Sequence, residues 1–300
     1  MSKLYPQGAQ TIAQLRDLLS RLNSPEGIAA AKTFAPRPDD IVIASYPKSG
    51  TTWMQQLVHG LKTGGDMAFA DITEAVPWIE LAHVLDLDIR GDQPVAPRLF
   101  KTHWRGDESP GGVKTIVVFR EPKAVALSYY HFYAGWVLDP DAISLDEFVA
   151  DFFIPGTLRG TYWTHLKSWL ARADDPQVLL LSYEGLKADL PRGVDRIVAF
   201  AGLAVSQADR EVAIRQAAKD FMTAHSEKFD EHLVASKRNL AMGVPATRHP
   251  RKIQAAAGQG PARALDRSSA DRLDQIWADE ISTGLGFADY AALRQAFDPD

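Results

Sequence analysis

Three short apolar segments, each followed by a polar turn and a helical pattern, constrain the fold of this chain most strongly. They are residues 40–45, 114–119 and 177–182. Their β-branched or leucine-rich runs are typical of strands buried on both faces. The helical patterns that follow begin near residues 51, 124 and 186. This alternation predicts an α/β fold over residues 1–300, a single domain whose central, mostly parallel sheet is flanked by helices.

Further elements are expected on either side of these units. Residues 97–103 form a shorter candidate strand, and residues 11–21, 268–281 and 286–297 carry helical patterns. Residues 224–264 are polar and lack periodicity, and they include several lysines and arginines. We interpret this segment as a long surface loop and expect it to act as a mobile lid.

Composition excludes several classes of protein. The net charge is −5 at pH 7, with no basic stripe, so nucleic acid is not an expected partner. The chain has no cysteine, which rules out disulfides, thiolate metal sites and cysteine nucleophiles. No apolar run approaches the roughly 20 residues that span a bilayer, and the N-terminal residues lack an apolar signal core. We therefore expect no transmembrane segment and a cytoplasmic location.

The turn after the first strand is a P-loop-like phosphate-binding element. Residues 46–53 read Tyr-Pro-Lys-Ser-Gly-Thr-Thr-Trp and lead directly into a helix N-terminus, where backbone N–H groups and the helix dipole attract anions. The nucleoside-triphosphatase P-loop needs Gly-x-x-x-x-Gly-Lys-Ser/Thr. Here Ser45 replaces the first glycine, Thr51 stands at the lysine position, and Lys48 lies inside the turn. This shift favours transfer of a sulfuryl rather than a phosphoryl group.

Three motifs resemble those of cytosolic-type sulfotransferases that use 3′-phosphoadenosine-5′-phosphosulfate (PAPS). Residues 46–53 resemble the family's 5′-phosphosulfate loop, residues 120–132 its 3′-phosphate motif, and residues 101–103 (Lys-Thr-His) its catalytic segment. Residues 285–290 resemble bacterial members. The resemblance implies transfer of a sulfuryl group from PAPS to an acceptor hydroxyl, with adenosine 3′,5′-bisphosphate (PAP) as the product and no metal required.

The resemblance also implies roles for individual residues. His103 would be the general base, for which imidazole is suited by its pKa. Lys48 would stabilise charge on the oxygen between phosphate and sulfate, and Lys101 would help to stabilise the transferred group. The implied donor-binding residues are Lys48, Ser49, Gly50, Thr51, Thr52, Trp53, Arg120, Ser128, Tyr183, Phe221, Arg251 and Lys252.

Within this donor site, Arg120 and Ser128 would hold the 3′-phosphate, because a guanidinium and a hydroxyl suit a phosphate monoester. Trp53 and Phe221 would stack on the adenine, and Tyr183 would contact its edge. Each of these residues also has a purely structural alternative. Arg120 could form a surface ion pair, Ser128 could bond its own helix backbone, and the three aromatic residues could belong to the core.

The sequence departs from the family in the motif that closes over the 3′-phosphate. The family commonly has Arg-Lys-Gly-x-x-Gly, whereas this chain has Arg251-Lys252-Ile253 followed by Gly258 and Gly260. A β-branched residue would be strained at a position that needs a positive φ. The charges of Arg251 and Lys252 remain available for an anion. The dimerisation motif of animal members is absent, which leaves the oligomeric state open.

Aromatic residues beside the catalytic segments suggest an apolar acceptor. Phe69, Pro77, Trp78, Trp104, Tyr133 and Trp136 are the candidates for its pocket. Such a lining suits phenolic, alcoholic or lipid-linked hydroxyls, including glycolipids. Ordinary core packing is the alternative for each of them.

Two other functions remain open at this stage: a P-loop kinase of small molecules and a non-catalytic nucleotide-binding module.

We predict that the protein binds PAP without Mg²⁺ and does not bind ATP–Mg²⁺, because Lys48 supplies the cation inside the turn. Titration calorimetry with each ligand, in the presence and absence of EDTA, measures this preference. Tight binding of ATP–Mg²⁺ that EDTA abolishes would instead indicate a kinase.

Overall fold

Four parallel strands form the sheet at the centre of the protein. The computed structural model describes residues 4–157, 160–250, 252 and 264–298. The strands are β1 (Ile41–Ser45), β2 (Leu99–Thr102), β3 (Lys114–Phe119) and β4 (Val178–Ser182). Their order across the sheet is β2-β1-β3-β4, and each neighbouring pair is parallel. The predicted α/β fold and its four strands are confirmed.

Both faces of the sheet are buried, which explains why the strands appear in the sequence as continuous apolar runs. Along β3, Ile116 and Val118 belong to a core cluster on one face. Val117 and Phe119, which alternate with them, belong to the cluster on the opposite face. Successive strand side chains point to opposite faces, so a strand between two helical layers is mostly apolar at consecutive positions rather than at alternate ones.

Helices cover both faces. The α-helices of the described residues are α1 (Ile12–Ser20), α2 (Pro25–Ala31), α3 (Thr51–Thr63), α4 (Ile72–Ala75), α5 (Pro122–Ala134), α6 (Leu145–Phe148), α7 (Tyr162–Leu170), α8 (Tyr183–Ala188), α9 (Leu190–Ala201), α10 (Gln207–Gln216), α11 (Lys219–Ala224), α12 (His232–Met242), α13 (Arg267–Trp277), α14 (Thr283–Leu285) and α15 (Tyr290–Phe297). Short 3₁₀ segments lie at Ile79–Leu81, His83–Leu85 and Ser226–Lys228, and π-helical turns at Val149–Phe153 and Ala278–Ser282. Among these helices, none is long and apolar enough to cross a bilayer.

The turn from β1 into α3 depends on two residues with left-handed backbone conformations. Gly50, which precedes the first residue of α3, has φ 103°. Lys48 has φ 72°, which is uncommon for a residue with a side chain. A Cβ atom at position 50 would lie 2.7 Å from Cδ2 of Tyr183. Glycine is therefore required at position 50 for both its backbone conformation and its small size.

The interpretation of residues 224–264 as a long surface loop is wrong for part of that segment. The structure places α12 there, and Val234, Ala235 and Met242 of this helix are buried. Asn239, also buried, accepts a hydrogen bond from Nε1 of Trp136 at 3.0 Å. These contacts hold together a helix whose own sequence has little amphipathic pattern. Residues 251 and 253–263, including Ile253 and both glycines of the closing motif, lie outside the described residues, and the mobile lid stays a prediction.

Gly50→Ala should destabilise the protein by about 1–3 kcal/mol, because alanine is strained at this φ and its methyl group would clash with Tyr183. The midpoint of urea unfolding measures the effect. Gly111→Ala is the matched control, since no atom lies within 4 Å of the added methyl group. Equal midpoints for the two variants would show that the turn does not need glycine.

Candidate active site

The carboxyl ends of the four strands bring the predicted site residues to one edge of the sheet, as expected for a parallel α/β protein. The turn after β1 carries Lys48, the end of β2 carries His103, the end of β3 carries Arg120, and α8 begins with Tyr183 directly after β4. One cavity of about 1290 Å³ is lined by these residues.

Ser45, the last residue of β1, fixes the geometry of the phosphate-binding turn. Its buried hydroxyl shares a hydrogen bond of 2.6 Å with Oγ1 of Thr51, the first residue of α3. Gly50, Thr51 and Thr52, three of the predicted donor-binding residues, line the cavity. Ser49 does not. Its buried hydroxyl lies in a small void behind the turn and has no partner among the described residues, so the structure does not support donor contact through this side chain.

Lys48 is half-buried inside the turn. Its Nζ lies 4.1 Å from the centroid of the Phe132 ring. Burial, followed by repulsion from the Lys252 ammonium, lowers the pKa of Lys48 to about 7. A bound anion favours the charged form of a lysine. Lys48 therefore has an ammonium group that a ligand anion would stabilise.

Arg120 connects the end of β3 to the turn. Its Nη1 donates a hydrogen bond of 3.1 Å to the carbonyl oxygen of Lys48, and its guanidinium carbon lies 4.5 Å from the centroid of the Tyr183 ring. Its buried Nε has no hydrogen-bond partner in the part of the chain that the structure describes. Ser128, on α5, lines the same cavity. An anionic ligand in the cavity would pair with the charge of this guanidinium.

The aromatic residues predicted to hold a base are only partly brought together. Trp53 and Tyr183 line the cavity, and their rings pack edge to face at 5.2 Å. Nε1 of Trp53 donates to the carbonyl oxygen of Ala217 at 2.8 Å, which orients the indole. Phe221 stacks on His225 at 4.1 Å and does not line the cavity, whereas the neighbouring Met222 does.

His103 is oriented by the backbone of β1. Its Nδ1 lies 2.7 Å from the carbonyl oxygen of Ser45. Because a carbonyl can only accept, Nδ1 carries the proton of the neutral ring, and Nε2 carries the lone pair. The backbone N–H of His103 donates to Glu80 at 2.8 Å, and the imidazole packs edge to face on Trp78 at 5.0 Å. These contacts fix the orientation and the tautomer of the imidazole, as a general base requires.

Lys101, on β2, points into a buried charge cluster that the sequence did not predict. Its Nζ lies 3.0 Å from Oε1 of Glu231 and 3.9 Å from the centroid of the Trp78 ring. Lys252 pairs with the same carboxylate and donates to Oγ1 of Thr52 at 3.1 Å. Lys101 and Lys252 both line the cavity, while Arg251 falls outside the described residues.

The remainder of the cavity is largely apolar. Trp78, Trp104, Tyr133 and Trp136 line it as predicted, together with Leu81 and Phe132. Phe69 and Pro77 do not line it, and Phe69 packs instead against His59 and Phe229 in the core. Within the described residues, no group of three or more histidines and carboxylates is placed to hold a metal ion.

These features define a group-transfer enzyme of the α/β class, with an anion-binding turn and an oriented histidine in one cavity. A family model described as the sulfotransferase domain matches residues 38–255. Sulfotransferase 6B1 of Danio rerio is 32% identical over 212 residues, which cover 69% of this chain and 71% of that protein. The chain therefore belongs to the sulfotransferase family.

Solved structures show the same fold. Mouse sulfotransferase SULT7A1, in complex with PAP, superposes with a TM-score of 0.68 at 21% identity, covering 93% of this chain and 96% of that chain. Retinol dehydratase, in complex with androsterone and PAP, gives a TM-score of 0.63 at 21% identity over 89% of this chain and 85% of that chain. Both likenesses support the single α/β architecture.

Anion binding should be coupled to proton uptake. The pKa of Lys48 is lowered to about 7 and that of Lys101 to about 8, and a bound anion raises both. We expect PAP to bind with uptake of about one proton at pH 7.5, and its affinity to fall as the pH rises above 7. Calorimetry in buffers of different ionisation enthalpy counts the protons. The Lys48→Met variant should lose most of the uptake, and an affinity independent of pH in the wild type would contradict the coupling.

Proposed function

We propose that this protein transfers a sulfuryl group from PAPS to a hydroxyl group on an apolar small molecule and releases PAP. A single observation carries the proposal. One cavity is lined both by Lys48 of the phosphate-binding turn and by the oriented imidazole of His103. A transfer reaction needs this arrangement, because donor and acceptor must meet at one point.

The residues of the turn fit a donor with two phosphate groups. PAPS supplies the activated sulfuryl group together with a phosphate leaving group. The N-terminus of α3 and Lys48 offer positive charge to the 5′ side, and the guanidinium of Arg120, which lines the cavity, offers charge and donors to the 3′-phosphate. Trp53 and Tyr183 offer aromatic faces or edges to the adenine. PAP in the two solved relatives supports the same ligand for this chain.

His103 is the proposed general base. Its Nε2 accepts the proton of the acceptor hydroxyl as the acceptor oxygen attacks sulfur. The bond between sulfur and the 5′-phosphate oxygen then breaks, and negative charge develops on that oxygen. Lys48 stabilises this charge, and Lys101 stabilises the sulfuryl oxygens. All three groups lie at the cavity, so the step uses only side chains of this chain.

The acceptor is proposed to be a phenol, an alcohol or a lipid-linked hydroxyl compound. Its pocket is formed by large apolar rings, including Trp78, Tyr133 and Trp136. Such a pocket binds a flat or extended apolar skeleton and orients it through few polar contacts. Androsterone, which is bound in the structure of retinol dehydratase, is an apolar compound of this kind. The cytoplasmic location and a reaction without metal stay predictions.

Lys48→Met and His103→Asn should separate chemistry from donor binding. Turnover in a transfer assay with PAPS and a phenol should fall about 100-fold or more in each variant, because each side chain acts mainly in the transition state. The affinity for PAP at pH 6.5 should fall far less than turnover in Lys48→Met and stay within about threefold in His103→Asn.

The control is His83→Asn, at an exposed histidine outside the cavity, which should keep wild-type turnover. Loss of PAP affinity in parallel with turnover in both variants would contradict these roles. Transfer from ATP instead of PAPS, with dependence on Mg²⁺, would overturn the proposed function itself.

A further inference from the structure

Glu231 is a buried carboxylate whose placement in the cavity the proposed reaction does not explain. It lines the cavity and is only 4% exposed. It precedes the first residue of α12 with φ 54°, a left-handed conformation that is uncommon for a residue with a side chain. Strained backbone of this kind persists only where surrounding contacts fix it, and such residues cluster at functional sites.

A buried carboxylate is costly unless cations compensate for its charge. Glu231 has two compensating partners, since Oε1 lies 3.0 Å from Nζ of Lys101 and also pairs with Nζ of Lys252. Burial alone would raise the pKa of Glu231, but these two ammonium groups lower it well below its usual range. Glu231 is therefore ionised, and both lysines are drawn toward it.

The two lysines differ in what else holds them. Lys101 extends from β2, and its Nζ also lies 3.9 Å from the centroid of the Trp78 ring, so it is fixed on two sides. The Nζ of Lys252 is divided between Glu231 and Oγ1 of Thr52, which lies in the turn that would hold the donor. A donor anion at this turn would compete with Glu231 for the same ammonium group.

We infer that Glu231 is a positioning residue of the sulfuryl transfer: its carboxylate holds Lys101 at the reaction site and takes the place of the donor anion on Lys252 until the donor binds. The inference rests on the proposed function. It predicts that Glu231 weakens donor binding but strengthens catalysis, because the contact to Lys252 must be exchanged while the contact to Lys101 remains.

The charges around Glu231 determine how protonation should respond to its removal. Lys48 and Lys101 have pKa values that Glu231 raises and Lys252 lowers. Tyr133 also faces the carboxylate, and its raised pKa keeps it neutral. The pKa of Lys48 is also lowered by Lys101 and by Arg120, and that of Lys101 is also raised by Glu80. Removing the charge of Glu231 should therefore leave the lysines less protonated in the empty protein.

The test is Glu231→Gln, which keeps the shape of the side chain and removes its charge. At a pH low enough to protonate the lysines of the variant as well as those of the wild type, PAP should bind about threefold to tenfold more tightly to the variant. At pH 7.5, the number of protons taken up on PAP binding should increase. Turnover with PAPS and a phenol should fall about tenfold, because Lys101 is no longer held. Glu227→Gln, at an exposed carboxylate close in the sequence, should change none of these values.

A second variant keeps the inference testable if Glu231→Gln does not fold. Lys252→Met removes the cation that most lowers the pKa of Lys48 and Lys101 after burial, so proton uptake on PAP binding should decrease. The two variants thus predict changes of opposite sign, which a general loss of structure would not produce.

Two outcomes would overturn the role of Glu231: proton uptake unchanged in the folded variants, or affinity and turnover that fall together in Glu231→Gln. Failure of the proposed function is distinguishable, because the wild-type protein itself would then neither bind PAP nor transfer a sulfuryl group.

Discussion

The buried end of β1 is the feature on which the rest of the site depends. The carbonyl oxygen of Ser45 fixes the tautomer of His103, while its hydroxyl holds Thr51 at the start of α3. A single residue of the central strand therefore aligns the acceptor side and the donor side of the cavity. β1 lies between β2 and β3 and is fully buried. Its register in the sheet is therefore fixed, and with it the positions of the groups that Ser45 holds.

Cationic side chains gather at the cavity, although the protein as a whole is negatively charged. The chain carries a net charge of −5, yet Lys48, Lys101, Lys252 and Arg120 meet at one edge of the sheet. Burial first and repulsion between like charges second lower the pKa values of Lys48 and Lys101, and an internal carboxylate offsets part of that repulsion. The positive charge at this edge of the sheet is thus incompletely compensated by the protein itself, and binding of an anion relieves the remaining repulsion.

The sequence anticipated the elements whose signals are local. β1, β3 and β4 were visible as apolar runs, β2 as a shorter candidate strand, and the turn after β1 as glycine and hydroxyl residues ahead of a helical pattern. It failed for α12, which has little amphipathic pattern and is held by contacts such as that of Asn239 with Trp136. The sequence also suggested donor contact for the side chains of Ser49 and Phe221, neither of which lines the cavity. Met222 lines it instead of Phe221, since one position along a helix changes the direction of a side chain by about 100°.

By itself, the sequence determined the α/β class, the phosphate-binding turn and the strand ends at which Lys48, His103 and Arg120 stand, because spacing along the chain dictates local geometry. Only the tertiary structure decided which distant groups meet. Glu231 lies 130 positions from Lys101, and Lys252 lies 200 positions from Thr52. Contacts over such separations leave no periodic trace in the sequence, since they arise where the packing of helices on the sheet brings side chains to the same cavity.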